Sequence, residues 1–231
     1  MPDIIAVVQA RMGSTRLPGK SLMKIAAGFS LLELTLLRTM GAERVAKTVL
    51  ATSAAADCDR LAETAKRLGV EVVRGDENDV LSRFILAIAR FKPKAVVRVC
   101  ADNPFVAPTE IDGLAEFFLE NKLDYAENNS RESGFPDGLG AEIARAETLI
   151  EIEPLASKRQ REHVTQYILD NPAEFTVATL PAPTALRHPN LKLDIDTRDD
   201  LKRIRSIASK LPPGNAPLWT PEEIVAAAAP A

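Results

Sequence analysis

The sequence contains few cysteines, no long apolar run and no excess of positive charge, and each shortage excludes a class of protein. Its two cysteines, Cys58 and Cys100, lack metal-ligand spacing and a secretory context, so we expect reduced, small apolar residues at both positions. The longest apolar stretches, such as AVVRVC and IIAVVQA, are far shorter than the roughly 20 residues of a membrane span.

The N-terminus has neither the basic start nor the apolar run of a signal peptide, so we expect a cytoplasmic protein that does not enter a membrane. A formal net charge of −3 provides no global basic field, and we therefore expect no nucleic-acid partner. Any anionic ligand must be bound by a local arrangement of charged side chains and backbone amides.

The chain does contain 231 residues, 46% of them hydrophobic and 26% charged, and we predict a single domain over residues 1–231. Through the first half, apolar β-branched runs alternate with amphipathic runs of helical period. This alternation predicts an α/β fold, with a mostly parallel sheet covered by helices on both faces. We predict strands at about 4–10, 48–53, 70–75 and 95–100, and helices at about 30–41, 57–68, 79–91 and 108–121.

The regular alternation fails after residue 121. Residues 122–190 contain short strand candidates, turn-rich and proline-rich stretches and a predicted helix near 159–170, a pattern that suits a subdomain, a lid or a dimerisation arm. LKLDID, residues 191–196, then predicts a further strand. Capping-box pairs predict the starts of three helices: Ser30 with Glu33, Thr197 with Asp200, and Thr220 with Glu223.

The stretch VVQARMGSTRLPGKS, residues 7–21, predicts a strand that runs into a loop rich in glycine, hydroxyl and basic side chains. A P-loop has four residues between its first glycine and its Gly-Lys-Ser/Thr end, because that length wraps one phosphate with backbone amides. Here five residues separate Gly13 from Gly19, and Pro18 removes a backbone donor. A P-loop also opens directly into its helix. The loop therefore favours another way of holding phosphate over a P-loop kinase or ATPase.

Charged residues follow the ends of several predicted strands. Ligands of open parallel sheets bind outside the carboxyl ends of the strands, at a switch point in strand order. The residues concerned are Arg11, Arg16 and Lys20 after the first strand, Arg74 and Gly75 after the third, Asp102 after the fourth and Asp196 at the end of the late strand. Mg²⁺ takes one or two carboxylates plus phosphate oxygens and water, while cations neutralise a departing phosphate. The pattern indicates phosphoryl or nucleotidyl transfer from a nucleoside triphosphate.

Each of these signals has a structural alternative. Three cations in one loop are commonly a solvated face. Asp102, ahead of an Asn-Pro pair, is typical of a turn, and Asp196 is typical of a neighbour of a helix N-cap. Asp194 shares a strand face with Asp196 and either supports a metal or faces solvent. His163 is either a base or a structural histidine, and His188 has the pattern of a loop residue.

The ordered set of motifs resembles one family. In chain order, QARMGSTRLPGK, VVRGDENDVLSRF, VRVCADNP, FPDG, REHVT and LDIDTRDDL resemble the cytidylyltransferases that make CMP-activated sugar acids, most closely the spore-coat-polysaccharide F type. The match runs from about residue 4 to residue 205, and its first segment is the most specific. REHVT and PDG favour the spore-coat type over the CMP-Kdo and CMP-sialate synthetases.

The resemblance implies a three-layer α/β/α fold of the nucleotide-diphospho-sugar-transferase type. It implies attack by a sugar or sugar-acid hydroxyl on the α-phosphorus of CTP, with release of pyrophosphate and Mg²⁺ as cofactor. It also implies a homodimer, with residues 122–190 as the acceptor-binding and dimerisation part, and a context in surface polysaccharide or flagellin glycosylation.

The resemblance further implies roles for individual residues. The phosphates of CTP would lie against Arg11, Gly13, Ser14, Arg16 and Lys20, and the base pocket near Arg74, Gly75 and Arg83. Asp102 and Asp196 would bind Mg²⁺. The acceptor sugar would face Asp137, Arg161, Glu162 and His163. The metal alone, or His163, would serve to activate the hydroxyl.

Three positions depart from the family pattern: Gly140 replaces an acidic residue, Ala107 stands where an aspartate commonly occurs, and Asp194 replaces a threonine or serine. These departures keep two competing hypotheses open. One is a catalytically silent sugar-nucleotide-binding protein, and the other is a nucleotidyltransferase that uses another base or another acceptor.

Overall fold

The computed structural model describes residues 3–229 of the chain. They form a central sheet, helices on both of its faces and a further helical layer from the C-terminal part. Within residues 3–229, no helix is both long enough and apolar enough to cross a membrane.

The chain alternates strands and helices in its first half and becomes less regular afterwards. The strands are β1 Ile4–Gln9, β2 Lys24–Ala26, β3 Phe29–Ser30, β4 Lys47–Ser53, β5 Glu71–Gly75, β6 Ala95–Cys100, β7 Tyr125–Glu127, β8 Glu142–Arg145 and β9 Val177–Thr179. The α-helices are α1 Leu31–Met40, α2 Asp59–Arg67, α3 Val80–Phe91, α4 Pro108–Glu120, α5 Ala146–Ile152, α6 Lys158–Glu162, α7 Gln166–Asp170, α8 Arg198–Ser209 and α9 Pro221–Ala228.

Seven strands form one sheet in the order β5, β4, β1, β6, β8, β7, β9, while β2 and β3 form a separate hairpin. Strands β5, β4, β1 and β6 are mutually parallel, whereas β8 is antiparallel to both of its neighbours. From β1 the chain adds strands on one side and then returns to place β6 on the other. The predicted switch point therefore lies between β1 and β6.

Strand β1 shows how the sheet is buried on both faces. Ile4, Ala6 and Val8 belong to the core cluster that includes side chains of α1, α2 and α4. Ile5 and Val7 belong to the cluster that includes α3, α5 and α7. Successive side chains of a strand point to opposite faces, so a strand covered on both sides must be apolar throughout. The three-layer α/β architecture is confirmed.

A third core cluster joins α1 to the C-terminal helices α8 and α9. At its edge the fully buried Arg38 donates from Nε to the carbonyl of Val106 at 2.8 Å and from Nη1 to that of Trp219 at 2.9 Å. Burial lowers the pKa of Arg38 to about 10. These bonds fasten the C-terminal segment to the helical layer of the sheet.

The predicted strands and helices of the first half are confirmed to within a few residues, and so are the three capping boxes. Ser30, Thr197 and Thr220 each accept a hydrogen bond from the backbone of the third helical residue, whose carboxylate reaches back to the cap. A capping box involves only residues three positions apart, which explains why the sequence alone predicts it.

The prediction that residues 191–196 form a sheet strand was wrong. The segment is extended and has a buried face at Leu193 and Ile195, but among the described residues it makes only an isolated bridge, between Lys192 and Asp137. Its backbone bonds to loops instead, for example from Ile195 to the carbonyl of Asp102 at 3.0 Å. The alternation of apolar and polar residues is typical of a strand, but the segment has no neighbouring strand to pair with within residues 3–229.

The prediction of one helix near 159–170 was also wrong. The segment contains α6 and α7, separated by a turn in which Val164 has φ of 57° and is buried. Residues 122–190 supply β7, β8 and β9 to the main sheet, so their strands extend the same layer. Their acceptor-binding and dimerisation roles stay predictions.

Candidate active site

A cleft of about 330 Å³ opens at the carboxyl ends of β1 and β6, at the switch point of the sheet. Most of the predicted site residues line it: Arg11, Gly13, Ser14, Arg16, Lys20, Arg83, Asp102, Glu162, His163 and Asp196. Arg74, Gly75, Asp137 and Arg161 are not among the lining residues. The cleft thus combines residues from widely separated segments of the chain.

Residues 10–20, which we call the phosphate loop, form the wall that follows β1. Leu17 is buried, and its backbone amide bonds to the hydroxyl of Ser14 at 3.3 Å, so the loop is pinned at its middle. Gly19 has φ of 72°. A side chain at Gly13 would collide with the carboxylate of Glu77. A short 3₁₀ turn follows and α1 begins only at Leu31, so the loop is confirmed to lack the P-loop arrangement.

Lys20 holds the two predicted metal-binding carboxylates together. Its Nζ lies 2.9 Å from Oδ2 of Asp102, 3.2 Å from Oδ1 of Asp196 and 2.7 Å from the carbonyl of Ile195. Although burial acts to raise the pKa of Asp196, the hydrogen bond and charge of Lys20 lower it below its ordinary value. Arg16 adds a second cation, 2.9 Å from Oδ2 of Asp196.

The donor set of this pair fits Mg²⁺ rather than a metal held entirely by protein. Within residues 3–229 no cluster of three or more His, Cys, Asp or Glu side chains is suited to a metal ion. Asp102 and Asp196 nevertheless converge on one ammonium group. A pair of carboxylates is the set that Mg²⁺ accepts when substrate phosphates and water complete its coordination.

Arg83 is a buried cation that forms no ion pair within residues 3–229. Its side chain reaches the cleft from the first turns of α3, and Nε and Nη1 have no hydrogen-bond acceptor among the described residues. Burial first, and then the nearby charge of Arg11, lower the pKa of Arg83. Gly75 makes this placement possible, because a Cβ there would lie 3.0 Å from Cγ of Arg83.

The neighbouring Arg74 lies outside the cleft. Its guanidinium pairs with Asp59 at 2.7 Å and donates to the carbonyls of Ser53 at 3.0 Å and Ala55 at 2.8 Å. The structure therefore directs Arg83 into the cleft and Arg74 into the loop between β4 and α2.

Glu162 and His163 form the opposite side of the cleft, which we call the acceptor wall. Glu162 Oε1 pairs with Nη2 of Arg11 at 3.0 Å and so bridges the two walls. Arg161 points elsewhere: it bonds to the carboxylate of Asp79 at 2.7 Å and to the carbonyl of Glu153 at 2.5 Å. It fastens α6 to the start of α3 and does not line the cleft.

Asp137 and Asp194 lie close enough to the carboxylate pair for its charges to act on them, and Asp137 is exposed whereas Asp194 is buried. Desolvation by the surrounding protein nevertheless raises the pKa of Asp137, with Lys192 opposing the shift. Asp194 pairs with Lys192 at 3.1 Å, and its Oδ1 is buried with no hydrogen-bond partner in the described part of the chain. Burial, followed by the charge of Asp137, raises the pKa of Asp194 to about 6. Asp194 therefore does not belong to a solvated face.

The other two departures from the family pattern are accommodated by packing. Gly140 lies so close to Asn128 that a side chain would overlap the Asn128 backbone carbonyl. Ala107 is fully buried and donates its amide to the carbonyl of Leu139 at 2.8 Å, just before α4. Neither residue lines the cleft.

Sequence reasoning missed seven residues that line the cleft: Gln9, Ala10, Thr15, Ser21, Val80, Cys100 and Ala101. Two of them, Gln9 and Cys100, belong to the central sheet. Both are the last residues of their strands, β1 and β6, so the rule of carboxyl ends was the signal that could have found them. Burial raises the pKa of the Cys100 thiol to about 12, so it stays neutral.

Comparison with known proteins places these features in context. The family model described as cytidylyltransferase matches residues 5–213. The chain is 35% identical over 216 residues to the spore coat polysaccharide biosynthesis protein SpsF of Bacillus subtilis, covering 91% of this chain and 88% of that protein. It is 33% identical over 121 residues to a 3-deoxy-manno-octulosonate cytidylyltransferase of Geobacter sulfurreducens, covering 52% and 46% of the two chains. A solved cytidylyltransferase structure from Leptospira borgpetersenii superposes with a TM-score of 0.89 at 26% identity, over 97% of this chain and 92% of that one.

Proposed function

Because the chain belongs to the cytidylyltransferase family and is a nucleotidyltransferase, we propose that it transfers CMP from CTP to a hydroxyl of a sugar or sugar acid. The acceptor hydroxyl oxygen forms a bond to the α-phosphorus, and the bond from that phosphorus to the bridging oxygen breaks. Pyrophosphate leaves, and the hydroxyl proton is lost. The observation that carries the proposal is the Lys20 ammonium held between Asp102 and Asp196 beside the phosphate loop.

The phosphate loop supports the triphosphate end of the substrate. Arg11, Arg16 and Lys20 place three cations on one side of the cleft, and their charges favour the more highly charged leaving pyrophosphate. Asp102 and Asp196 would hold Mg²⁺, which would neutralise charge on the triphosphate. These two carboxylates, and not a larger cluster, are the residues we assign to the metal.

Arg83 supports recognition of the base. Cytosine presents O2 and N3 as acceptors, and the guanidinium of Arg83, which lines the cleft, is a donor group suited to them. Because the guanidinium is already buried, the bonds would form where they are not weakened by water. Of the two arginines predicted near the base, we therefore assign this role to Arg83.

The acceptor wall supports the sugar. Glu162 can accept hydrogen bonds from sugar hydroxyls, and the imidazole of His163 can take the proton of the attacking hydroxyl. Asp137, which lies beside Asp102 rather than in the wall, would contact the far side of the acceptor.

The similarity to the spore coat polysaccharide biosynthesis protein of Bacillus subtilis supports surface polysaccharide biosynthesis as the context, ahead of flagellin glycosylation. We also propose a cytoplasmic homodimer formed through residues 122–190. Leu155, Leu169 and Val177 in that segment are exposed apolar residues, and the free cysteines suit a reducing compartment. Sedimentation of the purified protein tests the dimer.

The first experiment is calorimetric titration of CTP, ATP, GTP and UTP into the protein with Mg²⁺. We expect a clear preference for CTP. Pyrophosphate release is then measured with 3-deoxy-manno-octulosonate and other sugar acids. CTP binding without release for any acceptor would favour the silent sugar-nucleotide-binding protein, and preference for another nucleotide would contradict the proposal.

A further inference from the structure

The turn between α6 and α7 has a backbone conformation that its sequence disfavours. Val164 has φ of 57°, and a β-branched residue rarely adopts positive φ, since its side chain meets the following carbonyl. The side chain is nonetheless buried in the core next to α3 and α7. Such a conformation persists only where the surroundings determine it, and it is common at functional sites.

A buried side-chain network holds this turn. The hydroxyl of Thr165 donates to Oε2 of Glu142, and the other carboxylate oxygen of Glu142 accepts from Nη1 of Arg98 at 2.5 Å. Arg98 in turn donates from Nε to Oε1 of Gln9 at 3.1 Å. Thr165 is buried, and the side chains of Arg98 and Glu142 are 12% and 19% exposed.

The network connects parts of the cleft that are distant in sequence. Gln9 is the last residue of β1, directly before the phosphate loop, and Arg98 lies on β6 two residues before Cys100. Glu142 begins β8, and Thr165 follows the acceptor wall. A single carboxylate therefore ties the acceptor wall to the central strands.

Glu142 makes a second contact, to Thr165, in addition to its ion pair with Arg98. Buried ion pairs contribute little to net stability on average, because desolvation offsets their attraction. The second oxygen of Glu142 is directed at the one hydroxyl beside the strained Val164. If Thr165 were released, the turn could relax toward a continuous helix, which would rotate His163 away from the cleft.

We propose that Glu142, acting through Thr165, is a positioning residue that fixes the acceptor wall of the cleft. The proposal rests on the function proposed above for that wall. Glu142 itself does not line the cleft, so its effect reaches the substrate through Glu162 and His163.

The first test is Thr165→Val, which keeps the shape of the side chain and removes the hydroxyl, with Thr165→Ser as the matched control. The chain has two histidines, so the imidazole signals of His163 can be followed by NMR, with His188 as an internal reference. We expect the His163 signals to shift and broaden in Thr165→Val, to return in Thr165→Ser, and the His188 signals to stay unchanged. Unchanged His163 signals in Thr165→Val would overturn the proposal whatever the enzyme's acceptor.

The kinetic test uses pyrophosphate release with 3-deoxy-manno-octulosonate as the acceptor probe. We expect Thr165→Val to raise the acceptor KM about tenfold while the Kd of CTP stays within about twofold, because only the acceptor wall is displaced. Glu142→Gln, which keeps a hydrogen-bonding oxygen and loses the charge pair, should show the same split. If the affinity for CTP fell as much as the affinity for the acceptor in both variants, the network would have only a structural role. Absence of release in the wild type would count against the proposed acceptor class and leave the NMR result to decide this inference.

Discussion

The two walls of the cleft are built by different means. The phosphate loop and Asp102 follow directly from β1 and β6, so the backbone of the sheet positions them. The acceptor wall sits between two five-residue helices and is held by side-chain contacts, from Arg161 to Asp79 and from Thr165 to Glu142. The nucleotide side should therefore tolerate loss of a side chain without moving. The acceptor side should move when a single contact is removed.

The largest expected effect on activity is that of Asp102→Asn, which lies on the nucleotide side of the cleft. It removes charge from the proposed metal-binding pair, so we expect kcat to fall about 10²–10³-fold. The thermal midpoint should change little, because Asp102 is held by the backbone after β6. The exposed Asp199→Asn is the matched control. Steady-state kinetics and thermal melting measure both quantities, and normal turnover in Asp102→Asn would remove this carboxylate from the mechanism.

A second comparison uses the two arginines at the same sheet edge. Arg83→Met should weaken CTP binding by about 2 kcal/mol and stabilise the fold by about 1–4 kcal/mol, because it removes an unpartnered buried charge. Arg74→Met should leave CTP affinity unchanged, since Arg74 pairs with Asp59 outside the cleft. Calorimetry and chemical denaturation give the two free energies. Loss of stability in Arg83→Met would show that its charge is compensated in the nucleotide-free protein.

Arg161→Met tests directly how the acceptor wall is held in place. Removing the guanidinium releases α6 from Asp79 and Glu153, and we expect the acceptor KM to rise about tenfold with little change in the Kd of CTP. Arg159→Met, on the same short helix but exposed, is the control. If Arg161→Met instead impaired CTP binding alone, the contrast between the two walls would fail.

The smallest effect is expected from Arg16→Ala, because this side chain is 65% exposed and screened by solvent. CTP should bind about tenfold more weakly, which corresponds to about 1.4 kcal/mol of binding free energy, while the affinity for CMP stays nearly constant. The difference should shrink at high ionic strength. Titrations of CTP and CMP at two salt concentrations test it, and an equal loss for both nucleotides would contradict a role at the β- or γ-phosphate.

The parts of the fold that were predictable are those specified by local patterns. IIAVV at β1 is apolar on both faces, and Ser30 with Glu33 caps α1, so both features follow from adjacent residues. LKLDID failed because alternating burial does not reveal whether a strand partner exists. The break at Val164 depends on Glu142, which lies far away along the chain, and no helical pattern contains that information.

The candidate site shows the same limit. The rule of strand ends placed Arg11, Lys20 and Asp102 in one cleft before any geometry was known. It could not separate Arg74 from Arg83, because the choice depends on Asp59 as a partner for one and on Gly75 as space for the other. The roles of all these residues await the measurements above.

The strand order also has a consequence for synthesis of the chain. β1 is synthesised well before β6, one of its two neighbours in the sheet, which ends only at Cys100. At about 5–20 residues per second, the strand waits several seconds with an apolar edge open. Nascent chains that end before Cys100 should therefore depend on chaperones more than longer ones. Mutations that slow synthesis between β1 and β6 are expected to lower the yield of soluble protein rather than its activity.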